Sequence, residues 1–163
     1  MRTIRQMMTH MAWANDSLLA GLRDHPEAGK EIGRLFRHIL VAELVWLTRL
    51  EGKSSARWSL WEDSELASLE SFAQDNEQRY KRYIDGLTDE DLDRIVEYKN
   101  QSGAKFRTSI RDILTHVALH GQYHRGQINS AIRRQSGSPV SLDFIVYSRM
   151  IAAPHSDEKG AGS

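Results

Sequence analysis

Three histidines stand at intervals of four residues in the segment 114–128, which reads LTHVALHGQYHRGQI: His116, His120 and His124. An α-helix has about 3.6 residues per turn, so side chains four positions apart lie one above the other on the same face. The helical rows of His120 and His124 also contain five apolar residues: Ile110, Ile113, Val117, Ile128 and Ala131. These two imidazoles therefore project from the apolar stripe that a helix turns towards its neighbours, and His116 lies nearer the edge of that stripe.

A pair of histidines one turn apart can direct both rings at one point, which is the usual way for a helix to bind a transition metal. A third ligand must then come from another part of the fold. The alternative is that each is a core histidine bonded to a carbonyl or a carboxylate. We favour the metal site, because two neutral imidazoles are awkward to bury together without a common partner.

The composition limits the classes of function. A chain of 163 residues is long enough for one domain with a buried core. It has 22 basic and 22 acidic residues, and this balance argues against a general nucleic-acid binder. No apolar run approaches the roughly 18 residues of a membrane span. The absence of cysteine excludes disulfides, cysteine–zinc sites and a protein thiol nucleophile, and it fits a cytoplasmic protein.

Apolar periodicity predicts an all-α fold with four long helices. Their predicted bounds are 2–22, about 31–50, 64–86 and 110 to about 135. Such helices form a bundle, whose metal sites are built from residues that face inward.

Shorter elements complete the prediction. Two β-prone segments, 94–98 and 105–108, flank Asn-Gln-Ser-Gly and predict a small β-hairpin before the last long helix. Residues 140–151 are expected to form a short helix or an extended arm. We predict one bundle domain over residues 1–153 and a disordered tail over 154–163.

The second helix offers the third ligand. His38 is its only histidine and lies near its middle, so we predict a site of His38, His120 and His124. Glu43 falls on the apolar side of the same helix, where a buried carboxylate needs a partner. It could accept a hydrogen bond from a ligand histidine, or it could pair with an arginine such as Arg49 or Arg125.

Other polar and aromatic residues allow two interpretations. In the first helix, we expect Trp13 in the core and His10 and Asn15 at the surface or in a cap, with the lining of a pocket as the alternative. Trp58 and Trp61 follow the second helix in an irregular segment. We expect them to pack on the bundle, and the alternative is that they line a cleft for an apolar substrate.

The residues Arg125-Gly126-Gln127 follow His124 directly. Glycine inside a helix costs about 1 kcal/mol relative to alanine, so Gly126 suggests the close approach of another backbone or helix. Arg125 is expected to point off the histidine face and to pair with a carboxylate. Gln127 could hydrogen-bond near the metal site, although a purely structural role for all three residues is the favoured interpretation.

Three blocks of this sequence resemble the DinB/YfiT-like superfamily of metal-dependent helical bundles. They are HGQYHRGQI at 120–128, LFRHILVAELVWLTRLEG at 35–52 and MAWANDSLLAGL at 11–22. The resemblance covers nearly the whole chain, and the core pattern His-x-x-x-His-Arg-Gly-Gln is fairly specific. Many members have His-His before the arginine, whereas this chain has Tyr123 at the first of these positions.

The resemblance implies an up-down-down-up four-helix bundle, often a homodimer, that holds a divalent metal through His38, His120 and His124. It also implies transfer of a low-molecular-weight thiol to an electrophilic substrate, with Glu43 or His116 handling protons. Zinc or nickel is the expected metal, and iron or manganese is possible. We expect no nucleic acid or membrane as partner. The alternatives are a metal-dependent hydrolase and a non-catalytic metal-binding stress-response protein.

Overall fold

The computed structural model describes residues 1–23, 29–62, 64, 66–135 and 137–152. The predicted tail, 154–163, lies outside these residues. The described part of the chain forms five α-helices, a 3-10 helix at Glu90–Asp93 and two strands. In chain order the labelled elements are α1 (Arg2–Arg23), α2 (Gly29–Leu50), α3 (Leu66–Asp85), β1 (Ile95–Lys99), β2 (Lys105–Ser109), α4 (Ile110–Arg134) and α5 (Phe144–Ala152).

Ion pairs between the helices fix the direction of α3 relative to α1. Near the start of α1, Arg5 pairs with Asp85 at 2.9 Å, and at its end Arg23 pairs with Glu70 at 2.6 Å. Because residues at the start of one helix meet residues at the end of the other, α1 and α3 are antiparallel.

The remaining contacts complete the topology. At 3.2 Å, Glu31 at the start of α2 pairs with Arg134 at the end of α4, so these helices are antiparallel. α3 runs parallel to α2, because its residues Asn76 and Tyr80 donate to carbonyl oxygens that follow one another in the same order along α2, at 2.9 and 2.7 Å. Since α1 is antiparallel to α3 and α4 is antiparallel to α2, α1 runs parallel to α4. The bundle is therefore up-down-down-up, as the family resemblance implies.

The core of the bundle has two apolar clusters, one towards each end. In α4, for example, Ile128 and Ile132 belong to one cluster, and Ile113 and Val117 belong to the other. Between the clusters lies a layer of buried polar side chains, which we call the polar layer: Asn15, Glu43, Asn76 and Arg125. None of the described helices combines the length and the apolarity that a membrane span requires.

The predicted hairpin is confirmed, and it determines where α4 begins. β1 and β2 are antiparallel, with Tyr98 opposite Phe106. β2 ends at Ser109, whose Oγ accepts a hydrogen bond from the Asp112 amide at 3.0 Å and donates one to the Asp112 carboxylate at 2.7 Å. A side-chain acceptor at this position satisfies a free N–H of the first helical turn. The histidine-bearing helix therefore starts at a fixed point.

The expectation that His10 and Asn15 lie at the surface is wrong. Their side chains are only 6% and 3% exposed. His10 is buried because the segment before α5 packs over it, and its Nε2 donates to the Leu142 carbonyl oxygen at 2.8 Å. Asn15 is buried because it belongs to the polar layer.

Candidate metal centre

The three predicted metal ligands lie together where α2 packs on α4. The ligand nitrogens of His38, His120 and His124 all lie within 4.8 Å of one another. The ring centroids of His120 and His124 are 4.5 Å apart, and that of His38 is 4.6 Å from His124 and 5.2 Å from His120. Imidazole nitrogens bind zinc at about 2.0–2.1 Å, so nitrogens grouped this closely can converge on one ion.

In two of the rings, a hydrogen bond to one nitrogen determines which nitrogen is free to bind an ion. His38 Nδ1 lies 3.2 Å from the Leu60 carbonyl oxygen, which can only accept, so this nitrogen carries the proton. His124 Nδ1 likewise donates to Gln127 Oε1 at 2.6 Å, and the amide group of Gln127 donates in turn to the Tyr123 hydroxyl at 3.3 Å. Both rings therefore keep the Nε2 lone pair for a metal, as metal-binding histidines usually do.

Trp61 forms one wall of the site. Its ring is stacked on that of His38, with centroids 3.8 Å apart and an angle of 8° between the planes. Trp61 is 47% exposed and lines a cleft of about 490 Å³ with Arg34 and Leu35, and the guanidinium carbon of Arg34 lies 5.5 Å from the centre of its ring. Trp61 thus packs on the bundle, as expected, and also borders a cleft beside the histidines.

Comparison with known proteins confirms the family resemblance. The family model described as "DinB family" matches residues 1–156. This chain belongs to the DinB family. It is similar to Protein DinB of Bacillus subtilis (strain 168), with 24% identity over 157 residues that cover 87% of this chain and 91% of that protein.

Two histidines of the candidate site in this DinB-family protein, His120 and His38, have a pKa that is shifted in favour of the neutral form. Burial, together with the neighbouring His124 and His38, lowers the pKa of His120 from 6.5 to about 4. Burial also lowers the pKa of His38, against the opposing effect of its hydrogen bond to Leu60. Because a metal binds the unprotonated imidazole, the site is ready for an ion at neutral pH.

The lowered pKa of His120 predicts that the metal-free protein loses stability in acid. Between pH 6.5 and about 4, the unfolded chain binds a proton at this position and the folded protein does not. The free energy of unfolding must therefore fall as the pH falls through this window. Thermal unfolding in the presence of a chelator should show a falling Tm from pH 7 to pH 4.5, with a smaller fall for His120→Gln. Equal slopes for the two proteins would contradict this assignment.

Gln127 is expected to support the metal through His124. Replacing it by alanine removes the acceptor of His124 Nδ1, so we predict a loss of metal affinity of about 10–100-fold. Competitive titration with a chromophoric chelator measures this affinity. Gln122→Ala is the matched control, because Gln122 lies on the same helix and donates to the Leu142 carbonyl oxygen instead. The prediction is wrong if the two variants bind metal equally well.

Glu43 lies in the polar layer. Its carboxylate accepts hydrogen bonds from the Asn15 amide at 3.1 and 3.3 Å and from Asn76 at 3.2 Å, and the Arg125 guanidinium lies at 3.5 Å. Arg125 also donates to Asn15 Oδ1 at 2.7 and 3.2 Å. Each hydrogen-bond contact of the Glu43 carboxylate is thus with a donor, as the ionised form requires.

The contacts of Glu43 favour the ion pair over a bond to a ligand histidine. Among the described residues, no hydrogen bond links its carboxylate to His38, His120 or His124, and its arginine partner is Arg125 rather than Arg49. Burial raises the pKa of Glu43, and the charge of Arg125 opposes that shift. A role for Glu43 as a proton carrier stays a prediction.

The glycine of this segment that has a close neighbour is Gly121 rather than Gly126, and the neighbour is a side chain of the same helix. A Cβ on Gly126 would meet no described atom within 4 Å, so the prediction for that residue is wrong. A Cβ on Gly121 would lie 2.9 Å from Nη1 and 3.3 Å from Cζ of Arg125. Gly121 therefore provides the space into which the buried arginine folds back along its own helix.

His116 lies one turn before His120 and outside the group of three. Its side chain is exposed, and its ring contacts those of Trp46 and His120, with centroids 5.1 and 5.5 Å away. Burial by these neighbours, and then the charge of Arg49, lowers the pKa of His116. Its proposed role in proton transfer is not tested by this geometry.

Some contributors to the site were missed by the sequence reasoning. Asn76 had a signal, because it lies on the helical rows of Leu69, Ala73 and Tyr80 and so faces inward. The Leu60 carbonyl had none, since a main-chain acceptor in an irregular segment has no residue-type signature.

Proposed function

We propose that this protein is a metal-dependent enzyme that transfers a low-molecular-weight thiol to an electrophilic substrate. One observation carries the proposal: His38, His120 and His124 form a ligand group of three, with no fourth Cys, His, Asp or Glu joined to it among the described residues. Catalytic zinc sites have three protein ligands and an open position, whereas structural sites are closed by four.

The chemistry follows from the residues present. A divalent ion in this site would favour the thiolate form of a bound thiol. Since the chain has no cysteine, the thiol must belong to a cosubstrate. Its S–H bond is broken, its sulfur forms a bond to the electrophilic atom of the substrate, and the displaced group leaves with its bonding electrons.

His116 is the better of the two proposed acceptors for the thiol proton. It is exposed beside His120, and its lowered pKa keeps it neutral near pH 7. The carboxylate of Glu43 is enclosed in the polar layer, which leaves it no route to solvent.

Trp61 offers an apolar surface to the electrophile. Three imidazoles suit zinc or nickel, with iron or manganese as alternatives.

Conjugation of monobromobimane with cysteine or glutathione tests the proposal. The metal-loaded wild type should exceed the uncatalysed rate, chelated protein should lose this excess, and added zinc or nickel should restore it. His124→Ala should lose both metal, measured by mass spectrometry, and activity. If a metal-free His124→Ala protein conjugates as fast as the wild type, the mechanism is wrong.

A non-catalytic metal-binding role is the second candidate. It is favoured by the origin of the ligands, because an ion shared by His38 on α2 and His124 on α4 would cross-link two helices. A protein that gains stability with metal and conjugates none of the thiols would support this role.

Hydrolysis by a metal-bound water would use the same open position and is tested with ester substrates.

A further inference from the structure

A second cavity lies away from the histidines, between the end of α2 and the hairpin. Its volume is about 790 Å³, within the range of about 300–1,000 Å³ that is typical of small-molecule sites. Arg49 and residues 52–56 line one side, and residues 97–101 and 105–107 line the other. Arg49 follows His38 by three turns, about 16 Å along α2, so this cavity is separate from the metal centre.

The cavity is strongly basic although the whole chain has no net charge. Its lining contains one carboxylate, Glu97, and five cations: Arg49, Lys53, Lys99, Lys105 and Arg107. Glu97 pairs with Arg107 at 3.3 Å, and Lys53 pairs with Glu51 at 2.8 Å. Within the described ranges, three cations of the lining have no carboxylate partner: Arg49, Lys99 and Lys105. Such an excess of one charge in a cleft concentrates ions of the opposite sign.

Arg49 is the fixed point of this cavity. Its side chain is only 7% exposed, and its Nε donates to Ser55 Oγ at 3.0 Å. Its guanidinium carbon lies 4.5 Å from the ring centre of Trp46 and 5.0 Å from that of Tyr98. Its terminal nitrogens make no hydrogen bond to any described residue. A buried arginine normally has an anionic partner, and the planar fork of N–H donors matches a carboxylate or a phosphate.

An apolar surface lies beside this charge. Phe106 lines the cavity, is 45% exposed and stacks on Tyr98 with centroids 5.8 Å apart. A large aromatic side chain on an exposed strand gains from contact with an apolar ligand group. The cavity thus combines a fixed cation with a partly exposed aromatic ring.

We propose that this cavity binds a small organic anion, whose carboxylate or phosphate group pairs with Arg49 and whose apolar part packs on Phe106. Lys99 and Lys105 add attraction from the rim. This binding does not depend on the proposed function, because none of these residues touches the three histidines.

Titration of the metal-free, full-length chain tests the proposal. The probes are phenyl phosphate, phthalate and inorganic phosphate, and the measurement is the shift of backbone amide signals. Saturable shifts are expected in residues 52–56 and 97–107, and the tighter of the two organic probes identifies phosphate or carboxylate as the group that is bound. Phe106→Ala should weaken phenyl phosphate binding and leave inorganic phosphate unaffected.

Substitution of Arg49 decides the outcome. Arg49→Gln should raise the Kd of the organic probes by about tenfold or more, and Arg49→Lys should raise it less. Arg134→Gln, which removes an exposed arginine elsewhere, should not change it. If Arg49→Gln does not fold, the double substitution Lys99→Gln/Lys105→Gln replaces it in the test. This double variant should raise the Kd of all three probes. Absence of saturable binding, or equal loss with Arg134→Gln, would overturn the proposal.

Discussion

Arg125→Met is expected to lower the free energy of unfolding by about 3–5 kcal/mol. The Arg125 side chain is 1% exposed and that of Glu43 is 2% exposed, so the substitution leaves a carboxylate in the core without its cation. The Asn15 side chain and the Met11 carbonyl oxygen lose a donor in the same step. Methionine is shorter but flexible and of comparable volume, which limits the effect of a cavity. Urea denaturation of the metal-free protein measures the change.

Two controls separate the buried charge from other effects. Arg134→Met makes the same substitution on the same helix, but Arg134 and its partner Glu31 are 60% and 62% exposed, so we expect a loss of less than about 1 kcal/mol. The double substitution Arg125→Met/Glu43→Gln should recover part of the stability, because it removes the isolated charge. Equal losses for Arg125→Met and Arg134→Met would show that the buried pair does not stabilise the fold.

The polar layer also explains why the histidines face α2. Successive residues of a helix are rotated by about 100° around its axis. Arg125 is fixed towards α1 by Asn15 and Met11, and the preceding residue, His124, is thereby turned towards His38. The contacts of Arg125 thus favour the rotation of α4 that directs His124 to His38.

Local patterns in the sequence were sufficient for the elements and the ligands. Apolar periodicity placed the four long helices, and the four-residue spacing placed His120 and His124 on one face of α4. These features depend only on residues close in the chain. His38 could be added because a bundle directs inward-facing residues of different helices to one axis.

Such local patterns do not predict contacts between segments that are distant in the chain. His10 is buried only because α5 and the segment before it fold back over α1, and a lone polar residue gives no sign of this. The prediction for Gly126 was wrong for a related reason: the space beside a helical glycine depends on the direction in which a neighbouring side chain points. Arg125 turns back towards Gly121, and periodicity does not contain that information.

Metal should stabilise this protein by about 4 kcal/mol when free zinc or nickel is present at about 1,000 times its Kd. His38 and the pair on α4 lie far apart in the chain, so the complete ligand set exists only in the folded state. Denaturation with and without metal measures the gain. His38→Ala should abolish nearly all of it, since His120 and His124 alone form a weak site that the unfolded chain can also offer. His116→Ala, which removes a neighbouring imidazole and no ligand, should retain it. If His38→Ala gains as much as His116→Ala, the ion does not link α2 to α4, and the three-histidine centre is wrong whatever the enzyme assays show.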